Sequence, residues 1–288
     1  MKKKIIKLLS LLSLTIVFIS KIDNLQAVVP FYFLPSTKNL KKDGLSLGNT
    51  AYQLLYFGQI KDSLSLAKLA VKMDKSNEKL WTILAETQIA NNLLNEAIFS
   101  LNKAQKINPN LVELYFAKSN IFLKQSNTKK AKIALNKGLQ IQPKNHNAIF
   151  QLGNIFLMEK NYIQAIKEFE KAITIKPDFW QAINNQGLAY FEMDKINQSI
   201  IFFKKTIEIE EFAEPLLGLA ACLRNTNLNE AILLARKALI KDPNYVDLSY
   251  REEQLWGLKL QDETEKLLKD SQLKKEIIIA KSKINKTY

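Results

Sequence analysis

The feature that most constrains this 288-residue sequence is an internal 34-residue period. Pro109, Pro143 and Pro177 follow one another at that interval, and Pro243 comes close to two further periods after Pro177. An alanine or glycine stands five positions before each proline, and an alanine stands seven positions before that. Small residues seven apart share one helix face and let a neighbouring helix approach closely. The proline then ends that helix.

A second helix is predicted upstream of each alanine-bearing helix. It places a large apolar residue three positions before a leucine, as in Trp81 with Leu84 and Ile149 with Leu152. Each period is therefore a pair of helices that can bury its apolar faces only against neighbouring pairs. The composition agrees, because 8 glycines and 7 prolines are few for a sheet-rich fold and 47% hydrophobic residues can form a sizeable core.

This pattern resembles the tetratricopeptide repeat. The matching residues are clearest in the fourth copy, namely Leu152, Gly153, Phe156, Ala165, Phe169, Ala172 and Pro177. The resemblance implies an all-α fold, a right-handed superhelical solenoid of about six helix hairpins that ends in a C-terminal capping helix. The predicted repeats are residues 44–77, 78–111, 112–145, 146–179, 180–213 and 214–245.

Some copies depart from this pattern. The first has Lys75 and the fifth has Glu211 where the proline is expected, and the sixth is slightly shorter than the period. Pentatricopeptide repeats, which bind RNA and have a slightly longer period, lack the alanines and the proline, so that resemblance is weaker. The period ends after residue 245, and residues 246–288 are predicted to be capping helices followed by a basic tail.

The N-terminus is typical of a targeting segment. Residues 1–27 run from a lysine-rich start through an apolar stretch to Ala27, which is the layout of a secretory signal. The segment is predicted to be either a signal cleaved after Ala27 or an uncleaved signal anchor, and Leu25 weighs against cleavage because a small residue is preferred there. An apolar first helix with no targeting role is the third alternative. Residues 28–43 are predicted to be a proline-containing apolar linker.

If the targeting prediction is right, the protein is exported to a periplasm, cell envelope or thylakoid lumen, or is anchored in a membrane by its N-terminus. Membrane contact would then involve residues 1–36. The formal net charge is +14, which favours acidic partners or anionic membrane surfaces. Lysines and glutamates are interspersed rather than clustered, however, which favours the interpretation that most of them lie on solvated helix faces.

No catalytic motif is found, and no enzyme activity, cofactor or metal is expected. His146 is the single histidine and is predicted to lie in a surface loop. Cys222 is the single cysteine and is predicted to be a buried small hydrophobe. Four glutamates around a hairpin junction are interpreted as a solvated acidic patch rather than a paired acid and base; they are Glu208, Glu210, Glu211 and Glu214.

In proteins of this family the first helix of each hairpin lines a concave face. The resemblance places ten residues on that face: Phe116, Asn120, Asn147, Phe150, Asn154, Gln181, Asn184, Asn185, Leu188 and Phe191. Asparagine amides donate and accept hydrogen bonds at once, which suits an extended peptide backbone. Phe116 and Phe150 are either pockets for apolar anchors or inter-repeat core. Asn185 is expected to lie next to Asn154.

The predicted function is a protein–protein interaction module, an adaptor or assembly factor that binds a partner polypeptide in this groove outside the cytoplasm. The alternative is a membrane-tethered scaffold that organises a multiprotein complex. Nucleic acid is a poor candidate partner because the groove lacks a basic track. Capture of a chaperone's C-terminal carboxylate is disfavoured, since Phe116 and Phe150 stand where that subtype has lysine.

Overall fold

The computed structural model describes residues 36–284. This part of the chain consists of fifteen α-helices and two short 3-10 helices, without any strand, so the all-α prediction is confirmed. None of the helices described is both long and apolar enough to cross a bilayer. The predicted signal or anchor, most of the linker and the end of the basic tail lie outside the described residues and stay predictions.

The helices follow one another as antiparallel pairs. Twelve of them form six hairpins: α1 (Thr37–Tyr56) with α2 (Ile60–Met73), α3 (Glu78–Ala90) with α4 (Leu94–Ile107), α5 (Val112–Lys124) with α6 (Thr128–Ile141), α7 (His146–Met158) with α8 (Tyr162–Ile175), α9 (Trp180–Glu192) with α10 (Ile196–Ile209), and α11 (Ala213–Leu223) with α12 (Leu228–Lys241). A 3-10 helix (Pro243–Val246), α13 (Leu248–Glu253), α14 (Leu258–Leu268), a second 3-10 helix (Ser271–Leu273) and α15 (Lys274–Ile284) complete the chain.

The first helix begins earlier than predicted. Thr37 is its first residue, inside the range 28–43 that was assigned to a linker. Ser36 caps it, because its side-chain oxygen accepts a hydrogen bond from the backbone N–H of Asn39 at 3.2 Å. The prolines that suggested a linker, Pro30 and Pro35, both precede this cap and do not interrupt the helix.

The small residues of the repeat make the close helix contacts that the period predicted. The alanines five and twelve positions before the prolines are fully buried: Ala97, Ala104, Ala131, Ala165, Ala172, Ala231 and Ala238. Gly153 belongs to the same pattern, since a Cβ placed there would lie 2.5 Å from the Phe169 ring. Phe169 is itself fully buried, so each hairpin closes around large residues facing small ones.

The turn inside each hairpin also repeats. Gly58, Asn92, Ser126, Lys160 and Asp194 follow one another at the same period, and all have positive φ, between 56° and 76°. A left-handed residue just after a helix lets the chain reverse and satisfies the last carbonyls. Gly58, Asn92 and Asp194 are residue types that favour this conformation, whereas Ser126 and Lys160 are not, so at those two turns the stacking of the helices imposes it.

The segment after the sixth hairpin does two different things. α15 packs against α12 and the first 3-10 helix, which covers the end of the stack as predicted. α14 packs instead against α9 and α11, the first helices of the fifth and sixth hairpins. The prediction of a simple terminal cap was therefore incomplete, because one helix of this segment lies on the face formed by the first helices.

Candidate binding groove

The first helices of the hairpins form one continuous face. A row of residues, each one period after the last, runs along it, and we call this the central row: Tyr52, Glu86, Asn120, Asn154 and Leu188. Tyr52 is 53% exposed, Asn120 is exposed, and Glu86 and Asn154 are half-buried. Leu188 is 0% exposed. The face is thus open along the first four hairpins and closed at the fifth.

The polar residues predicted to line the groove are partly accessible. Asn120 and Asn147 are exposed, and Gln181 is half-buried. The predicted contact between Asn185 and Asn154 is observed, because Asn185 Nδ2 donates to Asn154 Oδ1 at 2.8 Å. That bond orients the Asn154 amide and leaves its Nδ2 group, within the described chain, available as a donor.

The two phenylalanines are inter-repeat core rather than pockets. Phe116 is half-buried, and a Cβ at Gly138 on the partner helix would lie 2.5 Å from its ring. Phe150 is also half-buried, with its ring centroid 5.0 Å from that of Phe179 and 5.7 Å from that of Phe169. Phe116 and Phe150 thus pack within their own hairpins, and Phe116 also packs against a buried cluster that includes residues of the next hairpin. Of the two interpretations that the sequence left open, core packing is the one that the structure favours.

Four residues predicted to line the groove are buried. Asn184 and Leu188 are completely inaccessible, and Asn185 and Phe191 are nearly so. Asn184 Nδ2 donates to Asn185 Oδ1 at 3.2 Å, so its amide bonds within the protein. The prediction that these four side chains face an open groove is therefore wrong. The C-terminal segment packs on this stretch of the face, because α14 contacts α9 and α11, and Glu214 bonds both to Asn184 and to Trp256, just before α14.

Glu192 holds the start of α14. Its carboxylate accepts hydrogen bonds from the backbone N–H groups of Leu260 at 2.9 Å and Lys259 at 3.3 Å. These are first-turn donors that have no partner within the helix. Gly257 makes the close approach possible, since a Cβ there would lie 2.1 Å from Glu192 Cδ. Leu260 is fully buried beneath the helix, so α14 is both capped and packed.

Ion pairs and an indole bond add to this attachment. Arg224 pairs with Glu263 at 2.6 Å, and Lys259 pairs with Asp194. Just before α14, Trp256 is buried and its Nε1 donates to Glu214 Oε1 at 2.9 Å. The segment therefore crosses the face with polar contacts at both edges and apolar contacts beneath, the arrangement of a helix lying in a groove.

The prediction that Glu214 belongs to a solvated acidic patch is wrong. Burial raises the pKa of its carboxyl to about 7, against the opposing effect of hydrogen bonds from Trp256, Asn184 and Tyr245. Glu208 and Glu210 are exposed, as the patch interpretation requires. Glu214 instead lies where the C-terminal segment meets the face.

Sequence reasoning missed Tyr52 and Glu86, although counting back one period at a time from Asn120 would have found both. Burial raises the pKa of the Glu86 carboxyl. No ion pair of the residues described includes it.

His146 and Cys222 offer no chemistry in this fold. His146 is the first residue of α7, not a loop residue, and its ring packs edge-on against Phe179 at 5.1 Å. Cys222 is buried as predicted, its Sγ donates to Ser199 Oγ at 3.5 Å, and burial raises the pKa of the thiol to about 12. Across residues 36–284 there is no group of three or more potential metal ligands.

The geometry agrees with a comparison against protein-family models. The model described as "Tetratricopeptide repeat" matches residues 78–111, 112–145, 146–179 and 181–212, just under half of the chain. Residues 78–212 are a run of tetratricopeptide repeats. The second to fifth hairpins are these repeats, and a comparison with curated protein sequences found no match.

Solved structures share this repeat fold. The crystal structure of MamA protein has 25% identity and a TM-score of 0.54, over 60% of this chain and 93% of that one. YrrB, described as a TPR protein with an unusual peptide-binding site, has 17% identity and a TM-score of 0.50, and the match covers 61% of this chain and 93% of YrrB. A chain of the APC/C hetero-tetramer Cut9–Hcn1 has 15% identity and a TM-score of 0.59, and the match covers 81% of this chain and 46% of that one. The last two likenesses concern the fold alone.

Proposed function

We propose that this tetratricopeptide-repeat protein is an adaptor that holds an extended segment of a partner polypeptide along the first four hairpins. Tetratricopeptide repeats are a non-enzymatic scaffold that serves protein–protein interaction. The observation that carries the proposal is the central row, which is accessible from Tyr52 to Asn154 and ends at the buried Leu188 of α9, the helix against which α14 packs. A partner would bind beside α14, on the part of the face that the chain leaves uncovered.

The chemistry of the open row suits a peptide of mixed character. Asn120 and Asn154 can bond backbone amide and carbonyl groups whatever the partner's sequence. Tyr52 supplies an aromatic surface at one end of the row, and aromatic side chains dominate the energetics of many interfaces. Glu86, between them, favours a lysine or arginine in the partner. The expected ligand is an extended segment with a basic residue near the Tyr52 end.

The YrrB likeness supports this proposal through the shared fold. Its title attributes a peptide-binding site to YrrB, and the shared fold makes a similar use of this chain reasonable. The identity of the partner is not encoded by the fold, and has to come from the side chains of the central row.

A photocrosslinking experiment tests the groove directly. Benzoylphenylalanine at position 120 should crosslink to a partner in cells, whereas the same residue at position 136, an exposed asparagine on α6, should not. Mass spectrometry then identifies the partner. With that partner purified, Asn120→Ala combined with Glu86→Gln should weaken binding about tenfold or more, and Asn136→Ala should not. Equal affinity for the two variants would refute the groove.

The setting outside the cytoplasm is part of the same proposal and is supported only by the sequence of residues 1–27. The second candidate function is a membrane-tethered scaffold, which needs the apolar segment to be retained. Sequencing the N-terminus of the mature protein separates the two. A start at residue 28 supports the exported adaptor, and an intact Met1 supports the scaffold.

A further inference from the structure

A cavity lies on the other side of α5 from the central row. It opens between α4 and α6, the second helices of neighbouring hairpins, with α5 as its floor, and its volume is about 350 Å³. Lys118 and Phe122 line it, each two positions from Asn120, and residues two apart on a helix point in nearly opposite directions. The cavity is therefore separate from the proposed peptide groove.

Lys118 breaks the repeat pattern. Leu84 and Leu152 stand one period before and one period after it, and both are buried. Lys118 occupies the same position and is only 8% exposed. Burying an ammonium group is costly unless an opposite charge compensates it, and leucine would fit the packing of the repeat. A lysine in this position departs from local packing rules, which proteins do mainly at functional sites.

The ammonium group is held in a fixed place by neutral groups. Lys118 Nζ donates to Gln105 Oε1. Gln105 Nε2 donates to Tyr115 Oη at 2.9 Å, and Tyr115 Oη donates to the backbone oxygen of Pro109 at 3.0 Å. This chain of hydrogen bonds orients the amide towards Lys118. It supplies dipoles but no negative charge.

Two more lysines line the cavity without a carboxylate. Lys130 and Lys137 come from α6, and no ion pair in the described part of the chain includes either of them or Lys118. Lys132, on the same helix, does have a partner, Glu159 at 2.6 Å. Burial and the charge of Lys137 lower the pKa of Lys118, as expected where cations meet without an anion.

The remaining wall is apolar. Ile98, Phe122 and Ala134 line it, and the volume is at the small end of the range for small-molecule sites. We propose that this cavity binds a small organic anion, with its carboxylate or phosphate group at Lys118 and an apolar group against Ile98 and Phe122. The anion would supply the counter-charge that the buried Lys118 lacks, with the exposed Lys130 and Lys137 beside it.

Thermal unfolding of the full chain with simple probes tests the proposal. Phenyl phosphate and benzoate are the probes. Inorganic phosphate is the control for the anionic group alone, and benzyl alcohol is the control for the aromatic group alone. We expect at least one of the two aromatic anions to raise the Tm saturably, at a lower concentration than either control. Lys118→Leu, which restores the residue of the neighbouring hairpins, should weaken this effect at least tenfold. Lys167→Leu, which removes an exposed lysine on α8, should leave it unchanged.

The unliganded variants give an independent result. Because the buried ammonium has no counter-charge, Lys118→Leu should raise the Tm of the free protein. If Lys118→Leu fails to fold, Lys118→Met keeps the linear stem and carries the same comparison. The proposal is overturned if neither aromatic anion shifts the Tm, if Lys118 and Lys167 variants respond alike, or if either control binds as well as the aromatic anions.

Discussion

The face formed by the first helices has two halves that differ in one respect. Asn120 and Leu188 occupy the same position of the repeat, two periods apart, yet one is exposed and the other is fully buried. The helices beneath them have the same length and the same hairpin geometry. The second half differs in carrying α14, which packs against α9 and α11. A periodic backbone therefore does not decide which part of its surface is available.

The covered half also shows how the chain solves the problem of ending a repeat stack. A terminal repeat exposes an apolar face that has no neighbour, and solenoids need a segment with one polar side to cover it. Here α15 covers the end and α14 covers the inner face, each through its own contacts. What remains open for a partner is the half that lies farthest from this C-terminal segment.

The largest expected effect comes from removing the main apolar contact of α14. Leu260→Ala should lower the free energy of unfolding by about 2–5 kcal/mol, because the side chain is fully buried and leaves a cavity. Leu258→Ala is the matched control, since that leucine is 70% exposed on the same helix, and should change stability by about 0.5 kcal/mol or less. Urea unfolding followed by circular dichroism measures both. Equal, small losses would show that α14 is only loosely attached.

The next effect is a pH dependence of stability that comes from Glu214, in the covered half. The pKa of Glu214 is about 7 in the folded protein and 4.5 ordinarily, so the folded state holds this proton more tightly. Its contribution to stability is complete below pH 4.5 and is lost as the pH rises to about 7, by about 3 kcal/mol. Glu86 acts in the same direction, so the difference between wild type and Glu214→Gln isolates Glu214.

Unfolding in urea between pH 5 and pH 8 measures this difference. The Glu214→Gln variant keeps an acceptor for the Trp256 indole but has no proton to lose. Its stability should therefore change less over this range than that of the wild type. If the free energy of unfolding of the wild type and of Glu214→Gln changed with pH in parallel, Glu214 would not be a buried carboxyl under the C-terminal segment.

The fold was predictable because the period encodes it directly. Alanines seven apart and a following proline specify helix hairpins that stack, and the buried positions of Ala97 and Ala104 follow from that pattern. The open part of the groove was predictable for the same reason, since Asn120 and Asn147 depend only on their place in the repeat. Lys118 could also have been found, by comparing it with Leu84 and Leu152.

The covered half could not be predicted from the period. Asn184 and Leu188 are buried in α9, and α14, which packs against that helix, begins only at Leu258, about two periods after Leu188, and belongs to no repeat. Such contacts join residues distant in sequence, and the spacing of residues within one repeat carries no record of them.

Thiol labelling tests the central claim, that the chain covers one half of its own inner face, most directly. In a Cys222→Ala background, single cysteines replace Asn120 or Leu188, and their reaction rates with a maleimide are compared in the native protein. Asn120→Cys should react as fast as in the unfolded chain, and Leu188→Cys about a hundredfold more slowly, because it must wait for α14 to open. Equal, fast labelling at both positions would contradict this account.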